Sequence, residues 1–173
     1  NLLTALNLKE VIIVAGEGGY LENEMRYYAN EDDEIPNYAL NDKTSLVTLI
    51  LPEKLKKISG GTGGGRGAFN GCVNLAGSLT IPEGVEEIGS GAFGNCYGPT
   101  GTLTLPSTLK VLGPAGEGTG YHDGAFANCS FVCELKLPDG LEVLGRGTFY
   151  NCNKLFGEIR LPEELKELGS AAF

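Results

Sequence analysis

The chain is poor in cations, in histidine and in long apolar runs, and each shortage excludes something. Among 173 residues there are 13 Lys and Arg against 22 Asp and Glu, a net charge of −9. A chain this acidic lacks the basic stripe that phosphate backbones require, so nucleic acid is not the expected partner. The longest apolar run, Val11 to Ala15, is five residues, far short of the roughly 20 needed to span a bilayer. The one histidine, His122, sits beside Asp123. That pairing can serve acid–base chemistry, but no second histidine and no positioned nucleophile accompany it, so a solvated loop residue is expected. No secretory leader is present, and the chain neither starts at Met nor stops at a repeat boundary, which reads as a trimmed mature chain or a fragment. The length suits one domain, residues 1–173.

What is abundant is repetition. The stretch Leu79 to Cys96, LTIPEGVEEIGSGAFGNC, returns as LTLPSTLKVLG…GAFANC, LKLPDGLEVLGRGTFYNC and IRLPEELKELGSAAF, and more loosely as LILPEKLKKISG…GAFNGC. Prolines recur at Pro52, Pro82, Pro106, Pro138 and Pro162, and phenylalanines at Phe69, Phe93, Phe126, Phe149 and Phe173. Undisturbed spacings are 23 or 24 residues, and the longer ones contain an insertion. A fixed period of this size with aliphatic residues at fixed offsets marks a leucine-rich solenoid. The run L-x-L-P alternates as a half-buried strand does, and Pro ends the strand because it cannot donate to a ladder. The next apolar pair, such as Val85 and Ile88, turns the chain over the core. A glycine such as Gly89, Gly113, Gly145 or Gly169 permits the tight turn, and Phe fills the interior opposite the strand. The expected fold is therefore a right-handed parallel β-solenoid of about six repeats. Each repeat supplies one short strand, with turns or 3₁₀ segments on the convex side. Residues 1–46 read as a degenerate first repeat, and 47–173 as regular repeats with the last one truncated.

Four of the five cysteines, Cys72, Cys96, Cys129 and Cys152, share one repeat position and should stack as buried thiols. Disulfides between rungs would need geometry that parallel side chains seldom offer. Cys133 reads as core, and Cys129 with Cys133 lacks the second ligand pair of a zinc site. No cofactor or metal is expected.

Three insertions interrupt the repeats: Gly16 to Glu34, Ser59 to Arg66 and Pro114 to Asp123. The first carries seven acids against Arg26, but Asp32-Asp33-Glu34 lacks an ordered calcium-ligand spacing. The second contains GGTGGGR, which has neither the Lys-Ser/Thr nor the strand-to-helix context of a phosphate loop. In-register stacking should bring the insertions out along one edge, and per-repeat insertions on one face often mark a binding face. The other candidate surface is the outward strand face. One row reads Ala5, Thr48, Ser78, Thr102, Glu134, Glu158, and the other Asn7, Ile50, Thr80, Thr104, Lys136, Arg160. Candidate ligand-binding residues are Tyr20, Tyr27, Tyr28 and Tyr121 on the insertions, and Thr80, Thr104, Lys136 and Arg160 on the strands. The sequon Asn128-Cys129-Ser130 falls inside the A-F-x-N-C turn, where Asn is expected to satisfy backbone groups.

The phrases IPEGVEEIGSGAFGNC, LPDGLEVLGRGTFYNC and LPSTLKVLG…GAFANC closely resemble the BspA-type leucine-rich repeat, over about Leu46 to Phe173. The departures are the insertions, the extra glycines Gly77, Gly101 and Gly157, and Lys43 in place of Cys. The resemblance implies an exported, surface-associated bacterial protein that adheres to host matrix proteins or to other cells, with no catalytic residues; the strand face could equally take a glycan. The alternative is a spacer that displays another domain.

Overall fold

The structure, a computed structural model, describes residues 3–10, 20–22, 25–27, 32–61, 66–98, 100–113, 120 and 123–173. Twelve short strands follow in order: β1 (Ala5–Asn7), β2 (Tyr20–Glu22), β3 (Met25–Tyr27), β4 (Glu34–Ile35), β5 (Thr48–Ile50), β6 (Lys57–Ile58), β7 (Leu79–Thr80), β8 (Glu87–Ile88), β9 (Leu103–Thr104), β10 (Val111–Leu112), β11 (Val143–Leu144) and β12 (Glu167–Leu168). No α-helix occurs among the described residues. The coil is a stack of parallel rungs, as the repeat requires.

The longest ladder does not lie at L-x-L-P. β4, β6, β8, β10, β11 and β12 form one six-stranded sheet in chain order. Its register places Ile35, Ile58, Ile88, Leu112, Leu144 and Leu168 over one another. These are the second apolar positions, which the sequence assigns to a turn. The L-x-L-P row gives two separate pairs, β1 with β5 and β7 with β9, and one isolated parallel bridge, Glu134 with Phe156. The reason is spacing. From Pro to the glycine position every regular repeat is the same length (Pro52 to Ser59, Pro82 to Gly89, Pro106 to Gly113, Pro138 to Gly145, Pro162 to Gly169), so pairing carries through all the coils. The stretch leading into L-x-L-P carries the extra glycines. Gly77 and Gly157 adopt left-handed φ of +78° and +92°, a region that side chains disfavour, and they break the register.

A third row of rungs runs through the A-F turns. The Phe69, Phe93, Phe126 and Phe149 amides donate to the carbonyls of Ala92, Ala125, Thr148 and Ala172 in the following coils, at 2.7–2.9 Å. The rings stack behind them: Phe69 on Phe93, Phe93 on Phe126 and Phe126 on Phe149, with centroids 4.9, 5.3 and 5.7 Å apart and planes within 7°. Phe131 meets Phe126 edge-on at 6.0 Å. Offset stacks of this kind add to the burial energy of each ring.

The cysteine column does more than fill space. Every thiol is free and buried. Each S–H donates to a carbonyl of the preceding coil: Cys72 to Leu40, Cys96 to Phe69, Cys129 to Phe93 and Cys152 to Phe126, at 3.0–3.3 Å. Burial pushes the Cys72 thiol up to about 12 and Cys152 to about 11, and raises Cys129 as well. These protons are therefore held at any physiological pH, and the thiols are poor nucleophiles.

Glycine after the V-x-x-I step has a different cause from the expected one. Of Gly89, Gly113, Gly145 and Gly169, only Gly113 has a positive φ. The constraint is the neighbouring coil: a Cβ on Gly145 would lie 1.2 Å from the Gly113 carbonyl oxygen, and one on Gly89 would lie 2.1 Å from the Gly60 nitrogen. The left-handed turn falls elsewhere, at the residue before the cysteine position, where Asp42, Gly71, Asn95, Asn128 and Asn151 all have φ of 54–74°. Asn tolerates that region better than most residues. The Asn128 amide donates to Asn95 Oδ1, and the Asn151 amide to Asn128 Oδ1, both at 2.9 Å. The sequon asparagine is thus tied into a side-chain ladder.

Phe93, stacked on both faces and fully buried, should lose about 3–5 kcal/mol of unfolding free energy on Phe93→Ala. Phe173, stacked on one face and 47% exposed, should lose much less on the same change; urea titration of both variants checks the order. The raised thiols carry a sign. Below pH 9 they contribute their full stability, because folded and unfolded chains both hold the proton. Between pH 9 and the folded value only the unfolded chain releases it, so stability falls by about 1.4 kcal/mol per pH unit per thiol. Cys72→Ser removes one titrating group, and its denaturation free energy should fall less steeply than the parent's from pH 9 to 11.

Candidate interaction surface

The outward L-x-L-P residues are all exposed, from Ala5 and Asn7 through Glu158 and Arg160. Ala5 pairs with Thr48 and Asn7 with Ile50 on β1 and β5, and Thr80 pairs with Thr104 on β7 and β9. Ser78 and Thr102 join through their hydroxyls at 3.0 Å. The two candidate threonines are therefore neighbours on a closed, hydroxyl-bearing patch.

Beyond β9 the row opens. Glu134 bridges Phe156, where the repeat alignment places Glu158 beside it. The left-handed Gly157 diverts the chain, and a Cβ there would sit 2.8 Å from Glu134 Cγ. Two grooves result. One, of about 570 Å³, lies between 102–105 and 132–136 and is lined by Thr104, Val132, Glu134, Lys136 and Phe156 among others. The second, of about 340 Å³, lies between 134–139 and 158–162 and holds Glu134, Lys136, Asp139, Glu158 and Arg160. Lys136 borders both, and Arg160 borders the second. Arg160 pairs with Glu158, two residues before it on the same outward face, at 3.3 Å.

A second charged surface was legible in the sequence but lies outside the L-x-L-P rows. Beside the six-stranded sheet, Asp33, Lys56, Glu86, Lys110, Glu142 and Lys166 follow one another, each amide donating to the carbonyl of the residue before it at 2.8–2.9 Å. Their charges alternate without exception. Lys110 meets Glu86 at 2.9 Å and Lys166 meets Glu142 at 2.6 Å. In the next column Lys57 lies 3.4 Å from Glu87 and 4.0 Å from Glu34. The lysine hydrogen bonds hold the Glu86 and Glu142 carboxyls below their ordinary value and raise Lys110 and Lys166. Reading each repeat position down the coils would have found this alternation.

The insertions give less. β2 and β3 form an antiparallel hairpin that pairs Tyr20 with Tyr27, while Tyr28 and Tyr121 lie outside the described residues, as does His122. The first insertion ends earlier than the sequence reading has it. Glu34 belongs to β4, is buried, and accepts a hydrogen bond from the Ser59 hydroxyl. Ser59 belongs to the coil too, its amide donating to the Ile35 carbonyl at 2.9 Å. Arg66 pairs with Asp42. Among the described residues no cluster of His, Cys, Asp and Glu could hold a metal ion, and no helix is long and apolar enough to cross a membrane.

Comparison with known proteins fits this geometry. The family model for the BspA type leucine rich repeat region matches in six copies, over residues 33–116 and 119–173. The chain belongs to that family. A crystal structure of a leucine-rich repeat protein from Bacteroides ovatus superposes with a TM-score of 0.62 at 22% identity, covering 98% of this chain and 36% of that one. The chain thus spans about a third of the length of that protein, and the likeness speaks for the fold. Among curated proteins no significant match is found.

The alternating column predicts a salt-dependent defect. Lys110→Glu would line up three carboxylates in successive coils, so its melting temperature should fall below that of Lys110→Ala. The gap between the two should shrink in 1 M salt, where the Debye length is about 3 Å. The Glu86 and Glu142 carboxyls work in the opposite pH range from the thiols. Their contribution is present above the ordinary carboxyl value near 4.5 and disappears as pH falls through the lower folded value.

Proposed function

We propose that this BspA-type leucine-rich repeat chain is a non-catalytic protein-interaction module of an exported, surface-associated bacterial protein. Its role is adhesion to a protein partner, a host matrix protein or another cell's surface, or to a glycan. The observation that carries the reading is the opened strand row. The L-x-L-P row, paired only from β1 to β5 and from β7 to β9, has no ladder beyond β9, where Thr104, Lys136 and Arg160 border two grooves. Mixed charge, hydroxyls and an exposed aromatic ring are the materials of a recognition surface. The five thiols elsewhere in the chain are buried.

The reading is tested by binding to immobilised matrix proteins and to a glycan array. Reversing the charge at Lys136 and Arg160 together (Lys136→Glu, Arg160→Glu) should weaken the strongest partner about tenfold or more, with little change in melting temperature because both side chains are exposed. A variant with the three insertions trimmed to the regular repeat length should keep its binding. If the reversed variant binds as the parent does and the trimmed one does not, the insertion edge is the site and the strand face is not.

A further inference from the structure

The segment Glu134–Leu137 has the sequence and burial of a strand but no ladder. Leu135 is 2% exposed while Glu134 and Lys136 face solvent. Among the described residues, no backbone hydrogen bond joins 134–137 to 102–105 on one side or to 158–161 on the other. The preceding pair shows what is missing. The Leu79 and Ile81 amides donate to the Thr102 and Thr104 carbonyls at 2.9 and 3.0 Å. One repeat on, the same roles fall to the amides of Leu103 and Leu105 and the carbonyls of Glu134 and Lys136. Instead, the Leu103 amide reaches only Cys133 Sγ, at 3.5 Å. The 570 Å³ groove lies between these two walls. The walls meet at one end, where the Val132 amide donates to the Gly101 carbonyl at 3.1 Å. Beyond it, with the Leu103 amide held only by Cys133 Sγ, one wall offers donors and the other acceptors at the two-residue spacing of an extended chain.

We propose that this groove takes an extended peptide segment of a protein partner, added as a strand between repeats four and five. The peptide's carbonyls accept from the Leu103 and Leu105 amides, and its own amides donate to the Glu134 and Lys136 carbonyls. Main-chain pairing supplies affinity and alternate side chains supply selectivity, as in other strand-addition sites. The lining sets the preference. Val132 and Phe156, 46% and 60% exposed, offer an apolar seat at one end. Among the described residues Glu134 and Lys136 form no ion pair, so they call for a base and an acid on the peptide. A glycan has no repeating amide to match these walls. The inference deepens the interaction-module reading and rests on it.

The experiment selects linear peptides of strand length from a phage-displayed random library on the intact chain. The selected peptide is then N-methylated one residue at a time. Strand addition requires sensitivity at every second residue, by several-fold to about tenfold per methyl group, with the intervening positions tolerant. Hydrogen exchange should slow at Leu103 and Leu105 when the peptide is bound. Phe156→Ala should weaken binding while leaving the circular dichroism spectrum unchanged. Uniform N-methyl tolerance, or protection confined to the six-stranded sheet, overturns the proposal. So does a chain that binds folded proteins and enriches no peptide, in which case the module reading survives. Failure to bind either peptides or proteins removes both.

Discussion

Every coil of this molecule lies on a copy of itself, and that in-register stacking governs which side chains are admissible. A residue type at a repeat position meets the same type about one strand spacing away. Phenylalanine tolerates this, because flat rings stack with planes nearly parallel. Glycine follows from it where backbones converge, as at Gly113 and Gly145. Asparagine tolerates it because one amide can donate to the next down the column. Charge does not, since like charges in neighbouring rungs repel. The six charged positions beside the long sheet answer by alternating in sign, which turns a repulsive column into a chain of attractive neighbours.

The same constraint explains the cysteines. The A-F turn leaves a carbonyl pointing toward the next coil in a space too small for a large side chain. A thiol fits as a small apolar body and carries a weak donor to that carbonyl. The column needs no disulfide to be coherent. Burial holds the protons of Cys72, Cys129 and Cys152, so their chemistry is suppressed where their packing is most useful.

The period, the stacking order and the identity of the core residues were legible in the spacing of Pro, Phe and the aliphatic positions, since these recur at intervals that only a solenoid explains. The degenerate first coil was legible too, down to Ala5 beside Thr48 and Ile35 over Ile58. The location of the longest ladder was not, because alternation at L-x-L-P is the stronger local strand signal. The constant length from Pro to Gly, which preserves pairing through all the coils, is a property of the alignment and not of any one repeat. The glycine column was read as a turn requirement because a single sequence shows conformational need but not the approach of a second backbone. For the candidate site, Thr80 and Thr104 were placed together by register alone. The grooves around Lys136 and Arg160 were hidden because they flank the coil of Glu134, which has Cys133 where its neighbours have Gly101 and Gly157, and a pattern does not reveal the geometry of its own exceptions.

That departure is tolerable because the load is carried elsewhere. The phenylalanine stack and the six-stranded ladder tie each coil to the next independently of the L-x-L-P row, so that row can lose its hydrogen bonds over two repeats without loosening the core behind it. Leu135 stays buried even though Glu134 makes only an isolated bridge, to Phe156, and Lys136 lies in no ladder. A solenoid with one redundant row of rungs can therefore carry unsatisfied main-chain groups at its surface, held rigid by the two rows it cannot lose. Main-chain groups on a coil held by two other rows are ordered before a partner arrives, so more of the conformational cost of association falls on the partner.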